Sequence, residues 1–190
     1  MRRRALAALC LTAALLVGCA DTSGGTAAPT AGAGYQAGDG SFTVWKEGER
    51  GAPVEITGTD LAGNAVDSST WRGKPAVVNF WYASCPPCRA EAPDLKALAE
   101  EFTDVPFLGI NPRDDKAAAS AFDDTFAIPY PTVLDPQATL VAAMQGKVPL
   151  QAMPTTLVLD AQGRVYGRIL GRIDPKVLRG LIEDAKAESA

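Results

Sequence analysis

Cys85-Pro86-Pro87-Cys88 places two thiols in a chain of 190 residues at a spacing suited to reversible disulfide chemistry. An apolar run, Val77-Val78-Asn79-Phe80-Trp81, leads into them, and a segment with helical periodicity follows. A sulfur placed just before a helix meets unpaired backbone N–H groups and the positive end of the helix dipole. Both favour the thiolate, which is the species that attacks a disulfide. Cys85 falls at the expected N-cap and is assigned the role of nucleophile. Cys88 lies one turn on, where its sulfur can reach back and resolve a mixed disulfide. Pro86 and Pro87 suit the first helical turn because they lack the donor that would be unpaired there. For the same reason they cannot stabilise the Cys85 sulfur, so Cys88 and Arg89 are its nearest expected backbone donors.

Composition narrows the alternatives. The chain has no histidine, which excludes Ser-His-Asp and Cys-His catalysis and most metal sites. Of its four cysteines, Cys10 and Cys19 lie near the N-terminus, leaving Cys85 and Cys88 for the folded part. Two thiolates cannot close a tetrahedral zinc site, and no cofactor or metal is expected. A purely structural bridge would close a very small loop and restrict the unfolded chain little. A copper carrier is a further possibility, because paired thiolates suit Cu(I). The lack of histidine and of a methionine cluster beside the cysteines argues against it. The net charge of −4 provides no basic footprint for nucleic acid.

Residues 1–18 are expected to be a signal segment: Arg2, Arg3 and Arg4, then a short apolar stretch from Ala5 to Val17. Leu16-Val17-Gly18-Cys19 resembles a bacterial lipobox, which implies lipidation of Cys19 and a lipid-anchored protein on the extracytoplasmic face of the cell membrane. Residues 19–40, rich in Gly, Ala, Thr and Ser, read as a flexible tether with too little apolar surface to fold. The folded domain is expected at 41–190.

The elements that must position the cysteines follow from patterning. Val54–Thr57 and Ala65-Val66 read as a hairpin around Asp60–Asn64. Ala76–Trp81 reads as a strand buried on both faces, and Pro86 to about Phe102 as a helix with Ala90, Leu95, Leu98, Ala99 and Phe102 inward. Further on come a strand at Val105–Ile110 and a helix at Asp114–Phe126 with Ala117, Ala118, Ala121 and Phe122 on its apolar side. A short extended piece at Tyr130–Leu134 and a brief helix at Ala138–Met144 precede an antiparallel pair, Thr155–Asp160 and Arg164–Leu170. Asp174 caps a last helix with Pro175 at its first position. The order implies an α/β fold with a central mixed sheet, helices on both faces and an N-terminal β-hairpin extension.

Phe80-Trp81 followed by Cys85-Pro86-Pro87-Cys88-Arg89-Ala90-Glu91-Ala92-Pro93, joined to Met153-Pro154-Thr155-Thr156, resembles the thioredoxin superfamily. Within it the chain is similar to membrane-anchored TlpA/ResA-like disulfide reductases of the AhpC/TSA-redoxin type. The resemblance implies a thioredoxin-like fold and a redox-active Cys85–Cys88 disulfide. It also implies a cis proline at Pro154 that bares the backbone of Met153 to a substrate segment, and an acidic residue near the cysteines at Glu91, able to carry protons. Asn79 stands where thioredoxin has a buried aspartate, so the proton of the resolving thiol must go to Glu91 or water. Ser84 replaces the tryptophan that often precedes the first cysteine, which suggests a less shielded site. Trp81 and Tyr82 read as packing residues and Arg89 as a surface charge. Peroxiredoxins carry threonine or serine three residues before the attacking cysteine, and Tyr82 holds that position here.

The implied function is thiol–disulfide exchange, as a reductant and with cytochrome c maturation as one pathway. A disulfide-forming oxidase, a peroxiredoxin-type peroxidase and a copper-binding chaperone stand as alternatives. Implied partners are a disulfide-bearing protein substrate, a membrane thiol electron donor and the membrane through the lipid anchor, with the protein a monomer.

Overall fold

The computed structural model describes residues 35–36, 41–144, 146–149 and 152–189. The expected signal segment, Cys10, Cys19 and all of the tether except Tyr35-Gln36 lie outside them. Among the described residues, nine strands and four α-helices follow one another as β1 (Tyr35–Gln36), β2 (Phe42–Val44), β3 (Thr57–Thr59), β4 (Ala65–Asp67), β5 (Ala76–Phe80), α1 (Pro86–Glu101), β6 (Phe107–Asn111), α2 (Lys116–Phe126), β7 (Thr132–Leu134), α3 (Thr139–Ala143), β8 (Thr155–Leu159), β9 (Val165–Leu170) and α4 (Pro175–Ala187). Seven strands form one sheet in the order β1-β2-β9-β8-β5-β6-β7. β5, β6 and β7 run parallel; β8, β9 and β2 extend the sheet antiparallel.

Two expectations need correction here. Tyr35-Gln36 are paired with Thr43-Val44 and so belong to the sheet rather than to a tether. The hairpin pairs Thr57–Thr59 with Ala65–Asp67, three residues later than the reading from Val54. Val54 instead donates its N–H to Gly163, bonding outside the hairpin.

Strand alternation divides the core. Val77 and Val158 face α1 and α4, packing with Leu95, Leu98, Leu178, Leu181 and Ile182. Val78, Phe80, Leu108, Ile110, Leu157 and Leu159 face the other side, covered by Ile56, Val66 and Val141 of α3. Each such side chain, fully buried, contributes about 1.5–3 kcal/mol. The apolar side of α2 is narrower than expected: Ala119 and Phe122 are buried, while Ala117 and Ala121 are exposed. Alanine runs leave helical phase poorly marked, because their burial carries little free energy.

One charged group is built into the core. Arg50, 2% exposed, places Nη1 3.1 Å from Asp160 Oδ2 and Nη2 2.7 Å from Glu188 Oε2. Its guanidinium lies 4.8 Å from the Tyr166 ring centre, and Arg164 Nε adds a second contact to Asp160 at 2.8 Å.

Candidate active site

Cys85 is the N-cap of α1, with Pro86 and Pro87 in the first turn. Its sulfur is bonded to that of Cys88 at 2.10 Å, with the Cα atoms 5.2 Å apart. The Cys88 N–H donates to Cys85 Sγ at 3.2 Å, the capping geometry that favours a thiolate. Arg89 does not add a second donor to the sulfur: its N–H goes to the Cys85 carbonyl at 3.1 Å, the ordinary helical bond. The Arg89 side chain donates to Ala83 O at 3.3 Å and lies 5.0 Å from the Phe126 ring centre.

The opposite flank of the sulfur is lined by backbone. Met153 and Pro154 are joined by a cis peptide bond, and Met153 O sits 3.8 Å from Cys85 Sγ. A carbonyl oxygen opposes negative charge at this sulfur, so its dipole and the Cys88 N–H act in opposite senses. The site is not less shielded for having Ser84. Ser84 is exposed, yet Cys85 and Cys88 are each 1% exposed. Both pack with Trp81, Ala92, Ala119 and Phe122, flanked by Leu61, Tyr82 and Ala83. Attack on either sulfur therefore requires neighbouring groups to move aside.

Beneath the disulfide the sheet supplies a polar row. Asn79 of β5 is in register with Thr156 of β8 and with Gly109 of β6, and Gly109 is in register with Thr132 of β7. Residues in register share a face, and this face is the one beneath α1. Gly109 has to be glycine: a Cβ there would lie 2.7 Å from Thr132 Oγ1 and 2.8 Å from Trp81 Nε1. Trp81 in turn stacks on Phe122, with ring centres 4.1 Å apart.

Glu91 lies over this row and is fully buried. The buried stripe of α1 is Cys88, Glu91, Ala92, Leu95 and Leu98, so it runs through the carboxylate, and Ala90 is exposed. Glu91 Oε1 accepts from Asn79 Nδ2 at 2.9 Å and Oε2 from the Ile173 N–H at 2.9 Å. Asn79 Nδ2 also donates to Thr156 Oγ1 at 3.0 Å. Burial pushes the Glu91 pKa up from 4.5 to about 7, against the pull of those two donors and of Arg172. A carboxyl poised near neutrality can take up or release a proton during exchange. Its helical neighbour one turn earlier is Cys88.

Three further residues carry the site and went unnoticed in the sequence. Asp114 Oδ2 accepts the Ala83 N–H at 2.5 Å and Asn111 Nδ2 at 2.8 Å, pinning the turn before Cys85 to the end of β6. Asp123 of α2 and Tyr130 line a small cavity beside Cys88. A carboxylate just beyond a strand and another inside a helix give no distinctive local pattern. Among the described residues no group of three or more Cys, Asp or Glu side chains could hold a metal ion. Among them, too, no helix is long and apolar enough to cross a membrane.

A family model described as AhpC/TSA matches residues 50–168. The chain belongs to the AhpC/TSA family. One relative of this AhpC/TSA chain is the thiol:disulfide interchange protein DsbE of Pseudomonas aeruginosa, 38% identical over 109 residues, covering 57% of each protein. The chain thus spans little more than half the length of that relative. Another is the thiol-disulfide oxidoreductase ResA of Halalkalibacterium halodurans, 24% identical over 132 residues, covering 68% of this chain and 73% of the relative. Among solved structures, a DsbF homologue from Corynebacterium diphtheriae superposes with a TM-score of 0.71 at 32% identity, covering 78% of this chain and 96% of that one. These likenesses bear out the thioredoxin-like α/β fold and the resemblance read from the cysteine segment.

Proposed function

We propose that this protein is an extracytoplasmic thiol–disulfide oxidoreductase that reduces disulfides in protein substrates through Cys85 and Cys88. The observation that carries the reading is the Cys85 sulfur at the N-cap of α1, accepting the Cys88 N–H at 3.2 Å while bonded to the Cys88 sulfur. The names of the DsbE and ResA relatives support it.

In the reduced protein the Cys85 thiolate attacks one sulfur of a substrate disulfide, forming a mixed disulfide and releasing the other sulfur as a thiolate. Cys88 then gives up its proton and attacks the Cys85 sulfur. The substrate leaves with both sulfurs reduced, and the two electrons it gained equal those lost in forming the Cys85–Cys88 bond. Pro154 and the Met153 carbonyl mark where a substrate segment would lie along the sulfur, and Glu91 handles protons. A membrane thiol donor would regenerate the dithiol. Lipidation of Cys19 would hold the protein, as a monomer, on the extracytoplasmic face of the cell membrane. Cytochrome c maturation, where cysteines must be reduced before haem attaches, is the pathway we favour.

Two measurements test this. The reduced protein should pass electrons from a dithiol donor to a disulfide-bearing protein, and Cys85→Ser should abolish that turnover. Equilibration with glutathione buffers should give a potential near about −270 mV for a reductant, whereas a value near about −120 mV would overturn that direction in favour of a disulfide-forming oxidase.

A further inference from the structure

We propose that Asp123 is a second proton acceptor for the Cys88 thiol, reached through a single water held in the cavity beneath α1. This rests on the dithiol reading given above. The cavity has a volume of about 10 Å³ and is lined by Cys88, Asn79, Asp123 and Tyr130 together with apolar side chains. That is room for one water, which needs two or more polar partners to be stable.

The partners are in place. Asp123 Oδ1 and Thr132 Oγ1, at the end of the polar row, are both buried and neither makes a well-formed hydrogen bond among the described residues, although the Thr132 hydroxyl lies near enough to the carboxylate to lower its pKa. A buried acceptor left without a donor is costly. A water in the cavity would satisfy Asp123 Oδ1 and accept from the Tyr130 hydroxyl or the Cys88 thiol. Tyr130 stays a phenol at any physiological pH: its pKa is pushed far up, chiefly by burial and then by the charges of Asp123 and Glu91.

Glu91 is less well placed for this proton. It does not line the cavity, both its oxygens are already engaged, and Asn79 is bonded to it from the cavity side. Asp123 also has a suitable affinity: burial raises its pKa from 3.8 to about 6, with Thr132 lowering it and Asp124 raising it. The titratable groups facing it are thus Tyr130 and Cys88, with Asp124 on its own helix and Glu91 beyond Tyr130.

The step balances simply. Cys88 passes its proton to the water, which passes one to the Asp123 carboxylate. The Cys88 thiolate attacks Cys85 Sγ, and the bond from Cys85 to the substrate sulfur breaks. The substrate leaves as a thiolate and is protonated by solvent. Asp123, only partly buried as a residue, returns its proton to bulk water.

The test uses reduced protein and dithiobis(nitrobenzoate), which releases one coloured nitrothiophenolate when Cys85 attacks and a second when Cys88 resolves the mixed disulfide. The second phase in the wild type should accelerate with pH through an inflection near 6. Asp123→Asn should remove that inflection and slow the second phase about tenfold at neutral pH, less than the full effect of a general base because Glu91 and water remain. The first phase should be unchanged. Retention of the inflection, or equal slowing of both phases, would overturn the inference while leaving the dithiol reading intact. Absence of the first phase in the wild type would instead sink the dithiol reading. A second measurement needs no variant: the Asp123 carboxyl carbon, followed by NMR, should titrate lower in reduced than in oxidised wild type, because the Cys88 thiol adds a donor to the cavity. Identical titrations would also overturn the inference.

Discussion

Two buried polar clusters in this protein hold carboxylates in opposite ways. Around Arg50, Asp160 is in contact with two guanidinium groups and also accepts the N–H of Gln162 and of Arg164. Each carboxylate there has a guanidinium neighbour and is built into the frame. Around the cysteines, Glu91 meets only neutral donors, an amide and a backbone N–H. The nearest cation, Arg172, is exposed and pairs with Asp94 at 3.4 Å. Asp123 has a threonine and a tyrosine for company. Burial opposed by a cation yields a fixed ion pair; burial opposed by neutral dipoles yields a group that titrates near pH 7. The first arrangement suits a structural role, and the second suits the proton transfer proposed above.

The contrast can be broken most severely at Arg50. Arg50→Ala removes the buried cation from Asp160 and Glu188 and should cost about 3 kcal/mol in denaturant unfolding, the low end for a broken buried pair because Arg164 still reaches Asp160, with thiol exchange by the folded fraction unchanged. A loss under 1 kcal/mol would show that the pair is not integral to the frame. The next effect is a pH dependence. The folded pKa of Glu91 is raised from 4.5 to about 7, so its contribution to stability is full below pH 4.5 and is lost as pH rises through 7. The wild type should lose about 3 kcal/mol relative to Glu91→Gln across that window. Denaturation midpoints of both proteins at several pH values check this, and parallel curves would contradict it. Gly109→Ala forces a methyl against Thr132 and Trp81 and should destabilise by about 1–3 kcal/mol. It should also perturb thiol kinetics, because it disturbs the row under the cysteines. Arg89→Ala should be the mildest, about 0.5–1 kcal/mol from the contact with Phe126, with no change in the rate at which Cys85 is alkylated.

The paired thiols, the helix they cap and the strand before them were legible in sequence because their signals are local: prolines in a first turn and a continuous apolar run, as the cap at Asp174 was for the last helix. The two N-terminal strands, β1 and β2, were not. Phe42–Val44 is three residues long and becomes a strand only because β9 offers an unpaired edge. Burial of Glu91 was hidden for a related reason. Helical periodicity assigns charged residues to solvent, and only the Asn79 amide and the Ile173 N–H, 12 and 82 residues away, make an inward position tolerable. Asp123 escaped notice because the alanines of α2 leave its rotation undetermined until Phe122 packs against Trp81.

Asp114 carries an implication for portability. Its carboxylate ties the turn ahead of Cys85 to the far end of a neighbouring strand, and so the sulfur inherits its placement from a loop some thirty residues downstream. Grafting the Cys-Pro-Pro-Cys tetrapeptide onto a foreign scaffold would transplant the atoms without their anchor, and the reactivity would stay behind.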